Sequence, residues 1–335
     1  MDAALLREKI EAFLRHAAES SVRVASIEPL SGGACQDNYK VVLDSGARWV
    51  LRSDARSSLA GSIDRAAEFE VIGTAVAAGV KTPEARWPSK GLLREGANAY
   101  FLVWRDGEAI GRRVVKAAHL AAARKGLAVE LARELAKIHS IRPAAHPHLL
   151  DANRAADRSF EPAAQVLGEV RARLDKLEPS ASSETIMRWL TANLPNKEDV
   201  VLVHGDFRTG NFLLTPEGLS AILDWEFAHW GSPVFDLAWM CVRDWRFGQL
   251  SLPVGGFATR DTFYAAYEAA SGRTLDRRSL HFWEVFGNLA WAVGSKQQTQ
   301  RYLTGQEKDL ELIAIGRRAA EMEFEALRLI ERGRV

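Results

Sequence analysis

The chain has little cysteine. Its 335 residues carry two, Cys35 and Cys241, which excludes a disulfide scaffold and any four-thiolate zinc site. It also lacks a charge excess, with 44 basic residues against 43 acidic and a net charge of +1. Nucleic-acid binders carry a basic excess, so that class is set aside. No long apolar run is present, and charges interrupt every stretch well short of the roughly 18 residues a membrane span requires. The start, Met1-Asp2-Ala3-Ala4-Leu5-Leu6-Arg7-Glu8, lacks the basic-then-apolar order of a signal peptide. There is no internal repeat, no low-complexity segment and no Gly-x-Gly-x-x-Gly. What is present suits a folded protein: 47% hydrophobic and 26% charged residues exclude disorder as a whole-chain reading. The expectation is a soluble, cytoplasmic protein with no membrane and no nucleic-acid partner. Its oligomeric state is not set by the sequence.

The N-terminal part reads as β-rich. A helix over 2–18 carries Leu6, Ile10, Phe13 and Ala17 on one face. After a break at Pro29-Leu30-Ser31-Gly32-Gly33 come strand-like runs at 38–43 and 48–52, joined by the turn residues Asp44-Ser45-Gly46-Ala47. A helix over 63–78 stops at Gly79, with Pro83 shortly after. Strands are expected near 84–88 and 99–104. Beyond Asp106-Gly107-Glu108 the pattern turns helical, over 112–139, 160–176 and 183–194. A short β insertion follows at Val200–Val203, Phe212–Leu214 and Ser220–Leu223. Long helices are then expected at 260–271, 279–301 and 309–331. The fold class is α+β, with a β-rich lobe over 1–104, a mainly helical lobe over 105–335 and a hinge near 104–108.

The strongest chemical signal is Val201-Leu202-Val203-His204-Gly205-Asp206-Phe207-Arg208-Thr209-Gly210-Asn211-Phe212-Leu213-Leu214. An apolar strand delivers an acid, then an amide five residues later, then a second strand. A further acid, Asp224, ends the next strand in Ile222-Leu223-Asp224-Trp225-Glu226. Phosphoryl transfer needs such a set. One carboxylate orients or accepts the proton of an attacking hydroxyl, while an amide oxygen and another carboxylate hold magnesium on the phosphates. Hard oxygen ligands suit that ion. Two rival readings of the same residues are weaker. Gly205 and Gly210 have the glycine spacing of a Walker loop, but Asn211-Phe212 stands where Lys-Ser/Thr is required. His204, Asp206 and His229 suggest zinc only with further convergent ligands, and nothing fixes them.

The stretch resembles the catalytic core of protein-kinase-like enzymes, with His204-Gly205-Asp206 in place of His-Arg-Asp and Asp224-Trp225-Glu226 in place of Asp-Phe-Gly. Those variants are typical of the aminoglycoside phosphotransferase and choline kinase family. The resemblance implies a bilobal protein-kinase-like fold, a small β-rich N-terminal lobe and a large mainly helical C-terminal lobe. It implies Asp206 and Arg208 as catalytic groups, and Asn211 and Asp224 as metal ligands. The loop Leu30-Ser31-Gly32-Gly33-Ala34-Cys35-Gln36-Asp37-Asn38-Tyr39 looks like the family's phosphate-covering loop, with Gly32 and Gly33 admitting backbone N–H groups to the phosphates. Arg52, in Trp49-Val50-Leu51-Arg52, stands where most kinases carry a phosphate-pairing Lys, and Arg is a good bidentate phosphate partner. Glu68 is the candidate to pair with it, with Glu70 as fallback. Tyr100-Phe101-Leu102-Val103-Trp104-Arg105 looks like the hinge that holds adenine through backbone groups of Val103 and Trp104. His139 and Asp236 are expected to buttress the catalytic loop.

The implied activity is ATP- and Mg2+-dependent transfer of phosphate to a hydroxyl of a small molecule. The chain also looks similar to the branch related to kinase-like domains fused to acyl-CoA dehydrogenases, which favours a hydroxyacyl thioester or hydroxy acid as acceptor. An aminoglycoside acceptor is disfavoured, because polyamines need carboxylates and the helix over 280–303 offers one acid, Glu284. A nucleotide-binding protein without catalysis is the rival of another class. Arg52 and the missing glycine after Asp224 speak for it; the intact Asp206, Asn211 and Asp224 speak against it.

Overall fold

The computed structural model describes residues 3–18, 21–30, 37–54 and 61–335. The chain divides into two compact units, one formed by 1–107 with 220–228 and the other by 108–219 with 229–335. In the first, α1 (Ala3–Ala17) sets Leu6, Ile10 and Leu14 at a four-residue spacing, so all three fall on one buried face. That face packs with Val24, Val41, Leu51 and Phe101 of a five-stranded antiparallel sheet. Its strands are β1 (Val24–Pro29), β2 (Asp37–Leu43), β3 (Arg48–Ser53), β4 (Ala85–Lys90) and β5 (Asn98–Val103), in the order β1-β2-β3-β5-β4. The register places Arg52 of β3 opposite Tyr100 of β5.

Between β3 and β4 runs α2 (Arg65–Ala77), packed on β4 and β5. It begins where Asp64 caps it by accepting the Ala67 N–H at 2.8 Å. Arg65, Glu68, Ile72 and Ala75 share its buried face at three- and four-residue spacing. Two of those four are charged. A helix face that buries ions does so only with partners: the two pair with each other, Glu68 also with Arg52 of β3 and Arg65 with Glu226 of the segment 220–228.

The second unit is mainly helical. It contains α3 (Gly111–Lys116), α4 (Ala121–Ile138), α5 (Ala152–Ala155), α6 (Pro162–Leu174) and α7 (Ala181–Ala192). The short strands β6 (Val201–Val203), β7 (Phe212–Thr215), β8 (Gly218–Ile222) and β9 (His229–Gly231) follow, β8 running on into the first unit. Then come α8 (Pro233–Trp239), α9 (Arg260–Ser271), α10 (Arg277–Leu303), α11 (Glu311–Gly316) and α12 (Ala319–Arg332). β6 pairs antiparallel with β9, and α10 packs against α8, α11 and α12. No helix among the described residues is long and apolar enough to cross a membrane.

Most expected elements are present within a few residues, and three expectations are corrected. β1 lies in a stretch read as leading only to a break. The helix expected over 112–139 is interrupted at Ala117, whose extended backbone (φ −63°, ψ 131°) separates α3 from the turn before α4. The helix expected over 309–331 is two, with Arg317 and Arg318 between α11 and α12.

Candidate active site

In the second unit, β6 is wholly buried and delivers the loop His204–Asn211. Gly205, just before Asp206, takes φ +80°, a left-handed conformation open to glycine at no steric cost. Four hydrogen bonds from three side chains converge on the Asp206 carboxylate. Arg208 Nε donates to both oxygens at 3.0 Å. Asn211 Nδ2 donates to Oδ2 at 2.6 Å and to the Asp206 carbonyl at 2.9 Å. Trp239 Nε1 donates to Oδ1 at 2.7 Å. Asn211 thus turns its nitrogen to Asp206, which leaves its carbonyl Oδ1 as the atom with which to meet a cation. Arg208, expected as a catalytic group, is paired here with Asp206, and its guanidinium lies 4.5 Å over the Trp245 ring. A side chain at Gly210 would meet Arg208 Nη1 at 2.8 Å, and Gly210 itself has φ +117°.

The loop is anchored from behind by Asp236, which is fully buried at the start of α8. Its two oxygens accept the N–H groups of His204 (2.7 Å) and Gly205 (3.0 Å). His139 Nε2 lies 3.2 Å from the same carboxylate, and His139 Nδ1 lies 2.8 Å from the Tyr267 hydroxyl. A carboxylate only accepts, so Nε2 carries the proton and Nδ1 accepts from Tyr267. Burial lowers the His139 pKa and outweighs the pull of Asp236, which keeps the ring neutral. Burial would raise Asp236, but His139 and the His204 N–H more than offset it and hold the carboxyl below its ordinary value. His139 and Asp236 therefore stand where a buttress was expected.

In the first unit, Arg52 is 7% exposed and reaches two acids. Its Nη2 lies 3.2 Å from Glu68 Oε1 and 3.0 Å from Asp224 Oδ1. Glu68 is the partner named from sequence; Glu70 is exposed. Arg65 joins the same group, pairing with Glu68 through Nη1 and with Glu226 Oε2 at 3.1 Å through Nη2. Burial works against both guanidinium charges, but Glu68 chief among the neighbours outweighs it and raises both pKa values. Glu226 is pushed up to about 7 by burial and by Asp224, against the pull of Arg65 and Arg52. Asp224 takes φ +67°, a left-handed conformation that costs a non-glycine residue about 1–3 kcal/mol. Its neighbours hold it there. Trp225 Nε1 donates to Thr82 Oγ1 at 3.0 Å, and the Ile63 N–H donates to the Glu226 carbonyl at 2.8 Å.

The remaining expected residues divide. The Val103 N–H donates to the Glu84 carbonyl at 3.0 Å and the Trp104 N–H to the Arg48 carbonyl at 3.1 Å. Of the backbone groups expected to hold adenine, those two donors are already engaged. Gly32 and Gly33 lie outside the described residues. Among the described residues no group of three or more His, Cys, Asp or Glu side chains is placed to hold a metal ion. Magnesium does not need such a cage, because it binds through one or two protein oxygens and takes the rest from phosphates and water. Asn211 and Asp224 each offer one hard oxygen group, so the donor chemistry fits.

Most aromatic side chains of α10 are core, since Phe282, Trp283 and Phe286 are each at most 2% exposed. Its acid, Glu284, is buried and held by Arg260 at 2.7 and 2.6 Å and by the Tyr264 hydroxyl at 2.8 Å. Nearer the loop, Trp239, Trp245 and Trp291 follow one another at ring separations of 6.1 and 4.8 Å. Asp244 beside them pairs with Arg318 at 2.6 Å and accepts from Trp291 Nε1 at 2.7 Å. Sequence reasoning missed Trp239 and Arg65. The helical three-residue step from Arg65 to Glu68 was readable; the long-range partners Asp206 and Glu226 were not.

A profile described as Phosphotransferase enzyme family matches residues 26–283, more than three quarters of the chain. Among curated proteins, a 61-residue stretch is 41% identical to acyl-CoA dehydrogenase family member 10 of Mus musculus. That stretch is 18% of this chain and 6% of that much longer protein. Among solved structures, a Ralstonia eutropha protein provisionally named an aminoglycoside phosphotransferase superposes with a TM-score of 0.74 at 19% identity, covering 97% of this chain and 98% of that one. An aminoglycoside phosphotransferase crystallised with AMP-PNP and hygromycin B superposes with a TM-score of 0.55 at 16% identity, covering 96% and 98%. At such identities these structures speak to the fold, which is the expected α+β protein-kinase-like one: a small antiparallel sheet and a large helical region.

Proposed function

The chain belongs to the phosphotransferase enzyme family, and from that membership and the side-chain geometry we propose that it moves the terminal phosphate of ATP to a hydroxyl of a small molecule, with magnesium. The observation that carries the reading is the Asp206 carboxylate, aimed by Arg208, Asn211 and Trp239 and fixed from behind by Asp236. A carboxylate so held is suited to orient an alcohol and take its proton as the bond to phosphorus forms. Arg208 balances its charge. Arg52, kept charged by Glu68 and Asp224, is the phosphate-facing cation. Asn211 and Asp224 are the groups that would hold magnesium, which when bound neutralises phosphate charge and orients the transferring group. ATP as donor is supported by the AMP-PNP complex of the related fold. Positioning and electrostatics supply most of the rate enhancement in such transfers.

The acceptor in this reading is neutral or anionic with an apolar body. A polycationic sugar needs carboxylates to pair its ammonium groups. Glu284 and Asp244 are already paired with Arg260 and Arg318, and beside Asp244 Trp291 stands half-buried against the buried Trp245. The likeness to acyl-CoA dehydrogenase family member 10 favours a hydroxyacyl thioester or hydroxy acid. Phosphate transfer from ATP to hydroxyacyl thioesters and to kanamycin-type aminoglycosides, assayed side by side, tests it. Efficient aminoglycoside phosphorylation with no transfer to the thioesters would overturn this acceptor class.

A further inference from the structure

We infer that Arg65 is a positioning residue for the metal-binding group Asp224, an inference that rests on the phosphotransfer reading above. The charged groups of the first unit close into a ring. Arg65 pairs with Glu68, Glu68 with Arg52 at 3.2 Å and Arg52 with Asp224 at 3.0 Å. The backbone then runs through Trp225 to Glu226, which returns to Arg65 at 3.1 Å. Arg65 is 5% exposed, and its planar guanidinium places one nitrogen on each of two carboxylates. A lysine has the charge but a single ammonium, so it cannot span both in that way.

The need for such a brace is local. Asp224 sits at φ +67°, where an L-residue stays only if its surroundings over-determine it. Arg52 holds the Asp224 side chain directly, but a nucleotide phosphate competes for Arg52 when it binds. Arg65 has no such competitor in this scheme. It fixes the same segment two residues further on and ties it to α2, so Asp224 keeps its aim while Arg52 turns to phosphate. Without that tie the left-handed turn is free to relax and the metal loses an oriented oxygen.

Calorimetric titration of AMP-PNP, with and without magnesium chloride, tests this on the whole chain, with thermal melting to confirm folding. Outer-sphere partners of metal ligands typically contribute about 10–100-fold to metal affinity. Arg65→Lys is therefore expected to cut the magnesium-dependent gain in AMP-PNP affinity by about that factor, leaving metal-free affinity nearly unchanged. Glu226→Ala should produce the same loss, and the double variant should be no worse than the poorer single one, because the two act as one link. A folded Arg65→Lys protein with the wild-type gain would overturn the inference. If Arg65→Lys does not fold, Glu226→Ala decides in the same way. A wild-type protein with no magnesium-dependent gain at all would instead overturn the phosphotransfer reading, and this inference with it.

Discussion

The indole N–H of Trp239 donates to Asp206 Oδ1 at 2.7 Å, across 33 residues of sequence. Trp239 also stacks on Phe235 at 5.7 Å, so its ring is held before it meets the carboxylate. Hydrogen bonds to a charged group contribute about 1.5–3 kcal/mol, roughly one to two powers of ten in rate where they aim a reacting group. Trp239→Phe keeps an aromatic ring and loses the donor. It should lower kcat by about 10–100-fold with little change in nucleotide affinity. Steady-state kinetics with the identified acceptor checks this, and an unchanged kcat would remove Trp239 from the site.

Arg52 offers a second check. Its guanidinium serves Glu68 and Asp224 from one nitrogen, and a guanidinium fork is suited to phosphate. Arg52→Ala should weaken nucleotide binding, and it also leaves Glu68 with Arg65 as its paired cation. Arg52→Lys should restore part of the affinity. Titration with AMP-PNP separates the cases; equal loss in both variants would mean that only the bidentate fork suffices.

The pH dependence of stability follows from His139. Burial lowers its pKa from the ordinary value of 6.5, so the folded protein holds fewer protons on this ring than the unfolded chain does. The stability this contributes is complete above about 6.5 and falls away as pH drops below it. Asp236, lowered from 3.8, adds a loss only at much lower pH. Glu226, raised to about 7, acts in the opposite sense over an overlapping range, so the comparison must be differential. Melting temperatures of wild type and His139→Gln between pH 5 and 7.5 should show a steeper acid decline in wild type. Parallel curves would contradict the neutral, buried assignment of His139.

Much of this was legible from local pattern. The five-residue step from Asp206 to Asn211 between two apolar strands located the loop, and Asp224 at the end of a third strand located the second acid. Glu68 could be matched to Arg52 through the resemblance to protein-kinase-like enzymes, where a helix acid pairs with the phosphate-facing cation. Ala117 was not readable as a break, since alanine is the best helix former and nothing beside it signals a stop. Arg65 and Trp239 escaped for another reason. Each is ordinary in its own helix and acquires a role from a partner far along the chain, at Glu226 and Asp206.

The central claim is that Asp206 directs phosphate from ATP to an alcohol. The most direct measurement follows label from γ-labelled ATP into a panel of hydroxyacyl thioesters, hydroxy acids and aminoglycosides, with magnesium, for wild type and Asp206→Asn. The account predicts labelled product from a neutral or anionic hydroxyl compound in wild type. It predicts turnover lower by roughly 10²–10⁴ in Asp206→Asn, the range for a lost general base, with AMP-PNP binding nearly intact. Transfer by Asp206→Asn within about twofold of wild type would contradict it.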